Sequence, residues 1–168
     1  NNEHVQKLLH PQGLLEEPIV ENENAILLDV KAECPNGKTF ILHLKSKLDN
    51  FTLDKENNVL TVNDVKTIGK IVSAIDDNII RFHYSREFAM YIYLLKLCAE
   101  KFYNMVDPKI RANYLAVSTI PNFYSKVRPV KYSEIQEGFH EFKTLLKYSA
   151  YLMAYKDYSL DERTSKYQ

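Results

Sequence analysis

Asp29, His43 and Lys45 have residue types and a spacing that could do chemistry. A carboxylate, an imidazole and an ammonium sharing one surface could hold a divalent metal or polarise a phosphate. They meet only if two strands bring them together, and the surrounding residues read as such strands. Ile26, Leu28, Val30 and Ala32 alternate with Leu27, Asp29, Lys31 and Glu33. Phe40, Leu42 and Leu44 alternate with Ile41, His43 and Lys45. This is the period of strands buried on one face.

The register of the pair follows from its turn. A two-residue Asn36-Gly37 loop would set Asp29 beside Leu44 and Val30 beside His43, mixing the polar face with the apolar one. A three-residue loop, Pro35-Asn36-Gly37, aligns Val30 with Leu42, Leu28 with Leu44 and Asp29 with His43. Pro35 suits the first position of a type I turn, and Gly37 suits the left-handed residue that closes such a loop as a G1 bulge. The predicted geometry therefore places Asp29 across from His43, with Lys31, Glu33 and Lys45 on the same face.

An Asp on one strand and an "[acid]-x-Lys" on the next resembles the PD-(D/E)XK nuclease family, with Asp29 in the first role and His43-Leu44-Lys45 in the second. The resemblance covers this one hairpin and implies a nucleic-acid-processing enzyme or an inactive relative. It also implies a helix before the strands and a helix and strand after them, roles open to Arg86–Met105 and Ala112–Ile120. In that family the acid before "x-Lys" ligates the metal. Here His43 holds the place, and an imidazole is a poor substitute in a Mg²⁺ site built of hard oxygens. Ser46–Asn78 is an insertion relative to the pattern. The competing reading is a solvated sheet face whose opposite-charge pairs contribute roughly 0.2–1 kcal/mol each.

The remaining elements are read from periodicity. Residues 1–24 form an amphipathic helix (Val5, Leu8, Leu9) stopped near Pro11, followed by a linker. "FTLDKENNVLTV" continues the meander around Asn57-Asn58. Val65, Ile68, Ile71, Val72 and Ile75 fit a helical face capped by Asn63 or Asp64. "NIIRFHY" reads as a strand, and Ser85 is expected to cap a central apolar helix running to Met105. "ANYLAVSTI" is another strand and "PNFYSKVRPV" an irregular connection. A final helix starts at Ser133, where "SEIQ" fits a capping box, and frays after Tyr158. The expected fold is α+β: an N-terminal helix, an antiparallel β-meander, then helices alternating with one or two further strands. Residues 25–158 form the domain, and 159–168 a loose tail.

Two more surfaces carry candidate residues. In "NFYSKVRPVKY", Phe123, Tyr124 and Tyr132 interleave with Lys126, Arg128 and Lys131. That mixture suits a protein-binding loop, or nucleic acid followed by cations and stacked on rings. Tyr148, Tyr151, Tyr155 and Tyr158 recur at helical spacing along the last helix as a docking stripe. Twelve tyrosines without a tryptophan favour contact surfaces with polar tips.

Composition narrows the classes. The formal net charge is zero, so no overall field draws the chain to nucleic acid or membrane, although its first third is acidic and 109–147 leans basic. No apolar run reaches the roughly 18 residues that cross a bilayer. Cys34 and Cys98 form neither a metal spacing nor a disulfide framework, which points to a reducing, intracellular setting, cytoplasm or nucleus. With four glycines there is no phosphate-cradling loop; no cofactor or metal is expected. The chain opens at Asn1 and its first methionine is Met90, which reads as a domain cut from a longer protein. These features predict a non-catalytic scaffold or adaptor module binding protein partners. Its interface is expected at the 123–132 loop and the tyrosine stripe, and the nuclease-like hairpin is the alternative.

Overall fold

The computed structural model of the protein describes residues 19–34, 37–121 and 123–155. The expected N-terminal helix, Pro35 and Asn36 of the hairpin loop, Tyr158 and the tail lie outside the described residues. Within them the chain is α+β. Strands β1 (Ile19–Glu33), β2 (Thr39–Asp54) and β3 (Val59–Ile68) come first. A 3₁₀ turn at Val72–Ala74 then leads into helices α1 (Ile75–Arg81) and α2 (Tyr84–Tyr103). Strands β4 (Lys109–Ser118) and β5 (Ser125–Pro129) and helix α3 (Tyr132–Tyr155) complete the fold. The five strands form one sheet in chain order, antiparallel throughout except for parallel β3 and β4, whose crossover is α1 and α2.

The hairpin has the predicted register. Val30 pairs with Leu42, Leu28 with Leu44 and Asp29 with His43. Gly37 is left-handed at φ 77°, and its N–H donates to the Cys34 carbonyl. Both strands are longer than the alternation suggested. β1 begins at Ile19, inside the expected linker, and β2 runs unbroken to Asp54.

Several expected elements are corrected. Residues 63–68 are strand: β3 carries six β-branched residues in ten, pairs with β4 along its whole length and with β2 as far as Asn63, and shows no clean alternation. Residues 75–81 form helix where "NIIRFHY" suggested a strand. Ile75 and Ile79, four apart, are buried, whereas Ile80 points to solvent. The cap position of α2 is His83, left-handed at φ 53°, with Ser85 inside the first turn. Residues 125–129 pair with β4 as a strand. At the start of α3 the reciprocal contact comes from Glu134, whose Oε2 accepts the Lys131 N–H at 2.8 Å, two residues earlier than the "SEIQ" reading.

The core lies between the sheet and α2. Phe88, Ile92, Leu94 and Leu95 pack with Leu53, Leu60, Val62 and Tyr114, and the Phe88 ring meets Tyr114 edge-on at 4.7 Å. Each such fully buried side chain contributes about 1.5–3 kcal/mol. α3 closes over α2 and the β1–β2 ribbon, where Ala150 seals a smaller cluster with Ala32, Cys34 and Leu42. The two helices approach closely at Gly138, where a Cβ would fall well inside contact distance of the Ser85 carbonyl. That contact fixes the first turn of α2, which carries Glu87.

Candidate active site at the diverging strands

β2 and β3 pair from Asp54–Val59 to Asn50–Asn63 and no further, although both strands continue. β2 runs on with β1, and β3 with β4 as far as Ile68–Ser118. At the parting point the Val65 N–H donates to Asp49 Oδ2 at 2.7 Å. A side-chain carboxylate thus replaces the carbonyl that a continuing ladder would have supplied.

Asp64 and Lys66, two apart on β3, share a face. Lys66 Nζ donates to Glu87 Oε2 at 2.7 Å and lies 2.9 Å from Asp64 Oδ2. The latter contact is out of hydrogen-bond alignment, so the Asp64 oxygen is buried without a directional partner. The other Glu87 oxygen accepts the Tyr91 hydroxyl at 2.6 Å, one helical turn along α2. Tyr91 therefore orients Glu87 as Val65 orients Asp49.

The electrostatics follow from burial. Asp64 is 3% exposed. Desolvation pushes its carboxyl up to about 7, against the pull of Lys66 and with the help of the Glu87 and Asp49 charges. Burial pulls the Lys66 ammonium down, but Asp64 and Glu87 more than offset this and hold it above the usual lysine range. The Tyr91 phenol is raised by burial and by its bond to Glu87. Two carboxylates, Asp64 and Glu87, thus face one ammonium, and the Asp49 charge acts on Asp64 from beside them.

On the opposite face of the same strands an amide ladder crosses the sheet. Asn63 Nδ2 donates to Asn50 Oδ1 at 2.6 Å, and Asn113 Nδ2 donates to Asn63 Oδ1 at 2.9 Å. Asn50 and Asn63 are buried and Asn113 half-buried, and their mutual bonds tie β2, β3 and β4 together beneath the carboxylates.

The donor set fits a hard divalent cation by charge and atom type: carboxylate oxygens in excess over ammonium, one of them buried without a directional bond. Among the described residues no three His, Cys, Asp or Glu side chains are already drawn together around a common point. The Lys66 ammonium stands between Asp64 and Glu87.

The residues singled out in the sequence lie elsewhere. Asp29 Oδ1 and His43 Nδ1 meet at 2.6 Å on the outer face of the hairpin, with side chains 66% and 79% exposed, and Lys45 is exposed nearby on β2. Phe123, Tyr124, Lys126, Tyr132, Tyr148 and Tyr151 are exposed. The Tyr155 side chain is outside the described residues, as is Tyr158. Arg128 is not a surface cation. It is buried and donates to Asp76 Oδ1 at 2.7 Å and to Glu134 Oε1 at 2.6 Å, joining β5 to α1 and α3. Sequence reasoning missed Asp49, Asp64, Lys66 and Glu87. The signal available was the same spacing that drew attention to Asp29: an Asp on one strand and, on the next, Asp64-Val65-Lys66, with an acid where the hairpin has His43.

No helix among the described residues is long and apolar enough to cross a membrane. No protein-family model matches the sequence, nor does any curated protein. Among solved structures the fold is similar to a protein from Eubacterium rectale described as "Putative exonuclease". The TM-score is 0.54 and the identity 13%, over 85% of this chain and 45% of that one. At that identity the likeness is one of fold, and this chain spans less than half of its neighbour's length.

Proposed function

We propose that the protein is a divalent-metal-dependent nuclease domain whose site is Asp49, Asp64, Lys66 and Glu87. The observation that carries this reading is the pairing of Asp49 on β2 with Asp64-Val65-Lys66 on β3, where the strands part and Glu87 comes in from α2. It is the PD-(D/E)XK pattern with its acid in place, on a fold similar to that of a protein described as an exonuclease. The protein-interaction reading rests on exposed aromatics such as Phe123 and Tyr132 and offers no account of an under-compensated carboxylate inside the sheet.

In this reading Asp49, Asp64 and Glu87 would hold the cation. When bound, such an ion supplies Lewis-acid polarisation of a phosphoryl group and acidifies a water. Lys66, kept protonated by its neighbours, provides a point charge for a phosphate oxygen. Tyr91 and the Val65 N–H hold Glu87 and Asp49 in orientation, and the amide ladder keeps the two strands from slipping. Burial strengthens each of these interactions relative to water.

The test is cleavage of labelled DNA and RNA with Mg²⁺ or Mn²⁺, for the wild type and for Asp64→Asn, Glu87→Gln and Lys66→Met. Cleavage that requires metal and falls by about 10²-fold or more in each variant is expected. Absence of cleavage together with no thermal stabilisation by millimolar metal would refute the proposal.

A further inference from the structure

The left-handed residue His83 joins α1 to α2 and sets the rings of Phe82 and Tyr84 against each other, with centroids 5.7 Å apart and planes at 27°. The inner ring, Tyr84, lies 4.4 Å from the Lys66 ammonium. The outer ring, Phe82, is 50% exposed and has the Arg81 guanidinium 5.3 Å from its centre. Both rings line a cleft of about 460 Å³ that also takes in Arg86, Glu87 and Met90. Ammonium, inner ring, outer ring and guanidinium are thus in successive contact, from the carboxylate site to the exposed Phe82. Phe82 takes no part in the buried core, which α1 supplies through Ile75 and Ile79.

We propose that this cleft binds single-stranded nucleic acid, with the base next to the phosphate at Lys66 stacking on the Phe82 ring; this rests on the nuclease reading of the adjoining site. The two ring spacings put Phe82 within reach of the nucleotide neighbouring that phosphate. Lys66, Arg81 and Arg86 match a polyanion. Glu141 faces His83 at 3.4 Å and Arg86 at 4.0 Å, so part of that charge is already answered, and the ring carries the selectivity. A half-exposed aromatic ring suits any base that is free to leave a stack. In a duplex the bases are stacked on one another and only an unpaired one can reach it.

The experiment measures binding of the full chain, with EDTA present, to fluorescein-labelled oligothymidine and to a blunt duplex of equal length, alongside metal-dependent cleavage. Phe82→Ala should weaken oligothymidine binding at least about fivefold, Phe82→Trp should retain it, and duplex binding should be unchanged in both. Unchanged oligothymidine binding by Phe82→Ala, or an equal loss on the duplex, would overturn the stacking role. If metal-dependent cleavage persists alongside that result, the nuclease reading stands without it. A wild type that neither binds oligothymidine nor cleaves would overturn both.

Discussion

Asp64→Asn should stabilise the metal-free protein, increasingly so as pH rises from 4 to 8. In the unfolded chain this carboxyl ionises near its ordinary value of 3.8; in the folded protein burial pushes it up to about 7. Between those values the folded state keeps a proton that the unfolded state has lost, so stability falls as pH rises through this window. Above about pH 7 the whole penalty stands. At 1.36 kcal/mol per pH unit the shift corresponds to a penalty on the order of 4 kcal/mol. Asparagine removes the charge but also the attraction to Lys66, which keeps Glu87 as a partner at 2.7 Å. A net gain of about 2–3 kcal/mol at pH 8 is expected, with little difference near pH 4. For a chain of this size that corresponds to roughly 4–12 °C in Tm. Urea or thermal unfolding in EDTA at several pH values measures it. Millimolar Mg²⁺ or Mn²⁺ should then raise the wild-type Tm with release of a proton near neutrality, and leave Asp64→Asn unmoved. An Asp64→Asn protein that is less stable than wild type at pH 8, or a difference that ignores pH, would refute the reasoning.

Three further substitutions test how the site is supported. Arg128→Ala leaves Glu134, whose side chain is 15% exposed, without its counter-charge. It should cost about 3 kcal/mol in urea unfolding, and Arg128→Lys should recover only part of that because the guanidinium spans two carboxylates. Gly138→Ala, which in an open helix would gain up to ~1 kcal/mol, should cost about 1–3 kcal/mol by overpacking against the Ser85 carbonyl. It should also slow cleavage, since the displaced turn carries Glu87. His43→Ala breaks only an exposed pair, so stability should change by less than about 0.5 kcal/mol and cleavage should not change; loss of cleavage would return the site to the hairpin.

The hairpin was legible because two constraints agreed. Strict alternation fixed the faces, and the Pro-Asn-Gly loop fixed the register, so Asp29 met His43 as derived. The catalytic candidate was hidden by the opposite circumstance. β3 is flanked by β2 and β4 and carries Asn63, Asp64 and Lys66 in its interior positions, so its pattern has no clean period. Asn63-Asp64 then resembles a helix cap, and Val65, Ile68, Ile71, Val72 and Ile75 coincide with a helical stripe while running from strand through turn into α1. The discriminating detail is local. No breaker separates Val59-Leu60-Thr61-Val62 from Lys66, and the first glycine, Gly69, comes one residue after the strand ends. Glu87 and Tyr91 were legible as one helix face but acquire meaning only when the sheet brings Lys66 beneath them.

The polar residues at the centre of this sheet divide into two kinds, and the division bears on function. Asn50, Asn63 and Asn113 lie in the sheet interior and are satisfied by each other, so they weigh little against the fold while tying three strands together. Asp64, one residue along, is buried, under-compensated and pushed toward neutrality by its surroundings. A valine there would carry no such penalty. As built, the position destabilises the folded chain at neutral pH unless a further positive charge arrives. Asp49 at the parting of the strands and Glu87 held by Tyr91 are oriented to receive one. The penalty is local, a proton or a cation relieves it, and the Phe82–Tyr84 ring pair, with Phe82 exposed, lies beside it. That combination distinguishes the proposed site from a structural ion pair such as Arg128–Glu134, in which both carboxylate oxygens accept directional hydrogen bonds.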